Sequence, residues 1–372
     1  MSNWQRIKLI VHGLVLAFSV YLIFVFFERA GRYPAFSAAS VLTGIFLSGA
    51  FSWRSMRSIL RPDNEAPRKS WVLGILRPVL LITLIGFWIF RPSPPMGEGP
   101  AGPAVEASAF ASPWMESPVL LVSIGDSIST GYGAPKGEGF PDLMIKNVNA
   151  VFPEMAGIDL VTVMPQLTHL PLAQNSSNSI EHKKVITDLP VHPKETFGII
   201  TMTCGGIDLI HYYGKAVPKE GAIYGASLAE AKPWIRNFES RLGEMMQLLK
   251  ARFPGGLAVL LATIYDPTDN VGDIENAGPL FWLPAWPDGL EILRQFNEVI
   301  ARIANQHDFV HVADIRGAML GHGIHCADSN HENYNSEDPG YWYFANLEDP
   351  NVRGHDAIRR AFLNAAAKAL RP

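Results

Sequence analysis

Residues 119–130 read VLLVSIGDSIST. A short aliphatic run closed by a glycine has the length and composition of a strand buried on both faces of a sheet. The chain then breaks into Gly-Asp-Ser, which sets a serine beside an aspartate just beyond the strand. Ser127 is expected to open a helix there, with its hydroxyl and N–H facing a cleft and the helix N-terminus favouring developing negative charge. The same position also suits an ordinary N-cap serine on a strand-to-helix turn.

Working outward, short apolar runs recur at 118–124, 197–203, 257–264 and 309–313. Between them, Trp234, Phe238, Leu242, Met245, Leu249 and Phe253 repeat at spacings of three and four, as do Leu290, Leu293, Phe296, Ile300 and Ile303. Alternating strand and helix patterns predict a doubly wound, flavodoxin-like α/β fold with a parallel sheet covered on both faces. In such a sheet a site forms at the carboxyl ends of the strands. The stretches GDSIS, CGGID, YDPTD and ADIRG fall there.

The first 90 residues are different. The chain of 372 residues is 48% hydrophobic, and the excess is concentrated in IKLIVHGLVLAFSVYLIFVFF (7–27), PAFSAASVLTGIFLSGAFSW (34–53) and WVLGILRPVLLITLIGFWIF (71–90). Each approaches or reaches the roughly 20 apolar residues that cross a bilayer. They predict three transmembrane helices. The first is too long for a signal-peptide core, and no small-residue cleavage pattern follows Phe27. Arg54, Arg57, Arg61, Arg68 and Lys69 lie between the second and third spans, and Arg6 and Lys8 precede the first. The positive-inside rule then places the N-terminus in the cytoplasm and everything after residue 91 outside. The expected location is therefore the cell membrane, multi-pass, with a periplasmic or cell-surface C-terminal domain. With two spans instead of three, that domain would be cytoplasmic. Residues 91–116, rich in Pro, Gly, Ala and Ser, read as a linker.

A net charge of −4 and the lack of a sustained basic run after residue 91 offer no footprint for nucleic acid. The two cysteines, Cys204 and Cys326, permit one disulfide or two buried thiols.

Residues 117–372 resemble the GDSL, or SGNH, hydrolase superfamily of esterases, lipases and carbohydrate-acyl hydrolases. GDSIS matches its first block, TCGGIDLI its third, and EDPNVRGHDAIRRAF its last. The resemblance implies an SGNH-type α/β domain with Ser127 as nucleophile. It aligns Ser176 of LAQNSSNS with the second-block glycine whose N–H helps hold an oxyanion. It aligns Ile207 with the third-block asparagine, whose amide is another donor. Asn346 and Asp349 take the places of the Asp and His that usually close the pattern. Gly206, Asp208 and Asn175 complete the candidate oxyanion and binding residues.

A serine nucleophile needs a base within hydrogen-bond reach, and imidazole is the usual one. The segment LGHGIHCADSNH offers His322, His325 and His331 in one loop at the carboxyl edge. His325 is the first choice, because its neighbour Cys326 can tether that loop to Cys204. Asp349, Asp328 or Asp314 then supplies the orienting carboxylate. His355 is expected to pack at the start of the last helix. The histidine loop matches no standard zinc spacing, and Asp266, Asp269 and Asp273 lack a calcium-loop pattern, so no metal and no cofactor are expected. The expected partners are the membrane and an ester-bearing small molecule, lipid or glycan. The expected activity is ester hydrolysis or acyl transfer. The alternative is a catalytically silent SGNH-like domain that binds an envelope glycan or lipid.

Overall fold

The structure is a computed structural model that describes residues 95–277 and 283–371, together with residues 6, 10, 12–14, 17 and 53. The chain divides into a compact unit Met1–Ser93 and a second, Pro94–Pro372. The three expected spans lie almost wholly outside the described residues. Among the described residues no helix is long and apolar enough to cross a membrane.

The second unit is built on five parallel strands: β1 (Val119–Ile124), β2 (Leu167–Pro171), β3 (Phe197–Met202), β4 (Leu257–Ala262) and β5 (Val310–Ala313), in the order β2-β1-β3-β4-β5. This is the doubly wound order expected. Four strands coincide with the apolar runs. The fifth, β2, carries Thr168, His169 and Pro171 at a half-exposed edge, so hydrophobicity does not announce it.

Side chains alternate along the strands and so divide two cores. Leu121, Ile199, Leu260 and Ala313 face one side. There they meet α1 (Phe140–Ile145), α2 (Leu160–Val163) and the last helix, Val352–Leu370. Val122, Ile124, Ile200, Met202 and Leu261 face the other. Four further helices supply that layer: α3 (Ser179–Asp188), α4 (Gly206–Ile210), and the long α5 (Leu228–Arg252) and α6 (Gly289–Gln306). Phe238 of α5 stacks on Phe296 of α6 at 4.5 Å, with both rings buried. Burying each such ring stabilises the fold by about 1.5–3 kcal/mol. After β5 come α7 (Ile315–Met319) and the last helix, α8.

Capping fixes where the helices begin. Asn178 and Glu181 form a reciprocal capping box on α3, Ser227 and Glu230 form one on α5, and Asn351 caps α8 through the N–H groups of Arg353 and Gly354. Helix α8 is buried nearly all round. Arg359, wholly buried, donates to Asp356 at 2.6 Å and to Asn147 at 2.5 Å. Removing Asp356 would leave the Arg359 charge without its carboxylate partner in the interior.

Two expectations change. Residues 95–116 do not hang free as a linker. Ala101, Ala109, Phe110 and Trp114 are buried, the Ala101 N–H donates to Asp356, and the Arg353 guanidinium donates to the Gly99 carbonyl. A Cβ on Gly102 would stand 2.6 Å from Ala357 Cα, so the missing side chain lets this strap lie on α8. Composition correctly shows that the segment has no core of its own; it borrows one. The second change is that Ser127 opens no helix. Residues after it make turns, with Thr130 and Tyr132 N–H groups bonding the Ser127 carbonyl, and Gly131 and Gly133 at φ 80° and 94° end the coil. The helix-dipole contribution expected at Ser127 is therefore absent.

Candidate active site

β1 delivers its serine through Gly125, at φ 152°, where a Cβ would meet Thr203 Oγ1 at 2.2 Å. Only glycine lets the turn press against the end of β3. Asp126 is drawn into that corner: Thr203 Oγ1 donates to its Oδ1 at 3.0 Å and the Ile128 N–H at 3.2 Å. Ser127 is left at the floor of a cleft over the strand ends, 8% exposed.

The cleft is lined by Asp126, Ser127, Gly206, Ile207, Asn346, Glu348 and Asp349 at one end, and by aliphatic and aromatic side chains beyond. It encloses about 130 Å³. A single water needs roughly 10–15 Å³ on this measure, so a substrate group of several heavy atoms fits.

Asp349 is the residue that answers Ser127. Asn346 Nδ2 donates to its Oδ2 at 2.6 Å, and the Asp349 N–H returns to Asn346 Oδ1 at 3.2 Å. Oδ1 is buried with no hydrogen-bond partner among the described residues. Ser127 and Asp349 line the same end of the cleft, and the Ser127 hydroxyl favours the ionised form of this carboxylate. Catalytic hydrogen bonds are often long before substrate binds. Leu347, buried at φ 71°, makes the turn that brings Asn346 and Asp349 together. A bulky residue in the left-handed region is a strained choice of the kind that clusters at functional sites.

Three carboxyl groups share this end. Burial pushes the Asp349 pKa up to about 6, against the lowering effect of the Ser127 and Asn346 hydrogen bonds. Burial and then the Asp349 charge push Asp126 up to about 7 and Glu348 to about 8. A charge on Asp349 favours the protonated forms of Asp126 and Glu348. Asn346 Nδ2 also donates to Glu348 Oε1 at 3.2 Å, so one amide spans both acids.

The other expected site residues lie elsewhere. His325 Nε2 pairs with Asp273 Oδ1 at 2.9 Å, and its ring stacks on His331. His322 is buried, stacked on Trp342, with Nδ1 2.9 Å from the Gly340 carbonyl. Neither lines the cleft, so neither imidazole is placed to deprotonate Ser127, and Asp349 orients no histidine. Both cysteines are free thiols. What pins the histidine loop is Asp269, whose carboxylate accepts the N–H groups of Gly321, Gly323 and His325. Asp266 closes its own turn on Thr268 and Asn270, and Asp273 pairs with His325, so these aspartates serve turn and loop contacts. Among the described residues no group of three or more His, Cys, Asp or Glu is arranged to hold a metal. His355 packs as expected, between the Phe140 N–H and the Tyr132 carbonyl.

Asp208 is spent on structure. Its carboxylate accepts the N–H and hydroxyl of Ser179 at 2.8 and 2.5 Å, with Arg241 at 3.8 Å. It anchors α3 to α4 outside the cleft. Asn175 Oδ1 accepts from Thr130 Oγ1. Ser176 takes φ 62°, a conformation glycine adopts more cheaply, but it is exposed and does not line the cleft. Ile207 lines it and offers no side-chain donor. The N–H groups of Ser127 and Gly206, both at the cleft, make no hydrogen bond among the described residues. They are the available oxyanion donors.

No protein-family model and no curated protein matches the chain. Among solved structures it is similar to a member of the lipolytic protein G-D-S-L family from Veillonella parvula DSM 2008, at 14% identity over 67% of this chain and 97% of that one, with a TM-score of 0.38. It is similar to the acetylxylan esterase Axe2 from Geobacillus stearothermophilus, at 18% identity over 67% and 94%, with a TM-score of 0.42. LAE5, an alpha/beta hydrolase enzyme from the metagenome of Lake Arreo, Spain, matches at 17% identity over 70% and 99%, with a TM-score of 0.41.

Proposed function

We propose that this protein is a GDSL/SGNH-type serine esterase or acyltransferase acting on ester-linked acyl groups, with a carboxylate in place of the usual imidazole. Ser127 Oγ attacks the acyl carbonyl and Asp349 takes its proton. The N–H groups of Ser127 and Gly206 receive the oxyanion. Asn346 fixes the Asp349 carboxylate, and a protonated Glu348 or Asp126 stands ready to return a proton to the departing alcohol oxygen. Water or a sugar or lipid hydroxyl then releases the acyl group by the reverse steps. The three apolar stretches before residue 91 would hold the enzyme in the membrane with this domain outside, where lipid and envelope-glycan esters are met.

The observation that carries this reading is that Ser127 and the buried Asp349 carboxylate, whose Oδ1 accepts no hydrogen bond among the described residues, line the same end of one cleft. A fluorophosphonate probe is the direct test, since only an activated serine reacts readily. Wild-type protein is expected to label and Ser127→Ala is not. Ile207, which provides no amide where the resembling family has one, favours the second reading of a silent binding domain. Absence of labelling in folded wild-type protein would decide for it.

A further inference from the structure

We infer that the cleft beside Ser127 is an acyl-chain pocket that takes a medium-length aliphatic chain, so that the ester consumed carries a fatty acyl group and not an acetyl group or a polar one. This rests on the reading of Ser127 as nucleophile and goes further by naming the acyl class.

The reason lies in which polar atoms are left to greet a substrate. Tyr224 and Trp286 wall the cleft, in tilted contact with ring centroids 4.8 Å apart, and each has a single polar group. The Tyr224 hydroxyl donates to the Pro284 carbonyl at 2.7 Å and the Trp286 N–H to the Ala226 carbonyl at 2.8 Å. Both are consumed by backbone, and the rings have only apolar surface to offer. The polar side chains on the far wall are likewise occupied: Thr263 Oγ1 donates to Asp314, and Asp266 closes on Thr268. Ile264, Ile274, Leu290 and Leu293 fill the remainder. Among the described residues the polar groups of these wall side chains are taken up within the protein, while Asp126, Glu348 and Asp349 gather at the Ser127 end.

A sugar or hydroxyl-bearing acyl group drawn into this space would leave its own donors unpaired, a cost of about 1–3 kcal/mol for each. An acetyl methyl would cover little of the apolar wall. An aliphatic chain loses nothing by leaving water and gains about 0.8 kcal/mol for each buried methylene.

The test is a series of p-nitrophenyl esters from acetyl to dodecanoyl with the full-length protein. kcat/KM is expected to rise about fourfold per methylene, the equivalent of that burial term, up to about octanoyl. Leu290→Trp, which fills the pocket from the start of α6, is expected to lower the octanoyl-to-acetyl ratio by about tenfold or more, with circular dichroism checking the fold. Cleavage of dioctanoyl-phosphatidylglycerol would identify a lipid donor, and cleavage of soluble octanoyl esters alone a soluble one; either supports the pocket. Calorimetric titration with 2-decanone and 2-butanone reads the pocket without turnover. If no ester is cleaved but 2-decanone binds and Leu290→Trp weakens it, the pocket stands and the hydrolase reading falls. A flat or falling acyl series, faster cleavage of an O-acetylated oligosaccharide, or failure of 2-decanone to bind would overturn the inference.

Discussion

Asn346 Nδ2 lies 2.6 Å from Asp349 Oδ2, and the backbone N–H of Asp349 closes the turn on Asn346 Oδ1. In the resembling family an aspartate three residues ahead of a histidine orients an imidazole. Here an amide in the first position orients a carboxylate in the second. The two substitutions are chemically matched, because an aspartate at 346 would face Asp349 with a like charge, whereas an amide donates to it.

On the proposed reading Asn346 positions Asp349, and its effect is expected in the pH dependence. Its hydrogen bond holds the Asp349 pKa down against burial. Asn346→Ala is expected to move the acidic limb of the kcat/KM profile upward in pH, as well as lowering the plateau. An unchanged limb would mean that Asp349 does not set it.

The raised carboxyls also bear on stability. Glu348 is held at about 8 against 4.5 in an unfolded chain, and Asp126 at about 7 against 3.8. The unfolded state loses these protons first, so the stability they contribute is fully present below about pH 4 and is lost as pH rises through about 7–8. Glu348→Gln removes that dependence. Its melting temperature relative to wild type is expected to rise between about pH 4 and pH 9. A constant difference across that range would show Glu348 to be unperturbed.

The histidine loop should be dispensable for chemistry. His325 gives its ring to Asp273 at a partly exposed site, a pairing worth under about 1 kcal/mol. His325→Ala is expected to keep esterase turnover within about twofold. A loss comparable to that of Ser127→Ala would return the base to the loop.

How much of this was legible in the chain differs from one element to the next. The run into Gly125 announces β1 and its serine because a doubly buried strand must be apolar and the turn must be glycine. Edge strand β2 is silent for the opposite reason. The strap at 95–116 misleads because composition reports what a segment can bury alone, not what α8 offers it. The resemblance points to Asn346 and Asp349, but imidazole is the usual base for a serine. Only the structure shows the neighbouring histidines already committed to Asp273, Trp342 and the Gly340 carbonyl. Glu348 was missed because nothing in a sequence distinguishes an acid facing the cleft from one facing solvent.

Ile207 lines the cleft where the family places an amide donor. A lost oxyanion donor typically costs about 10²–10³ in rate. Ile207→Asn is expected to raise turnover toward that extent, while a new buried amide without a partner costs about 1–3 kcal/mol of stability. Well-folded Ile207→Asn protein with no gain would indicate that the backbone donors already fill the hole.

The role of Asp349 as base is tested most directly by the pH dependence of fluorophosphonate labelling at Ser127, mapped by peptide mass spectrometry in wild type and Asp349→Asn. The wild-type rate is expected to rise through about pH 6, where Asp349 ionises, and Asp349→Asn to label about 10²–10⁴ times more slowly on the plateau above that pH, the two converging below it. Labelling of Asp349→Asn at the wild-type rate, with the same pH midpoint, would contradict it.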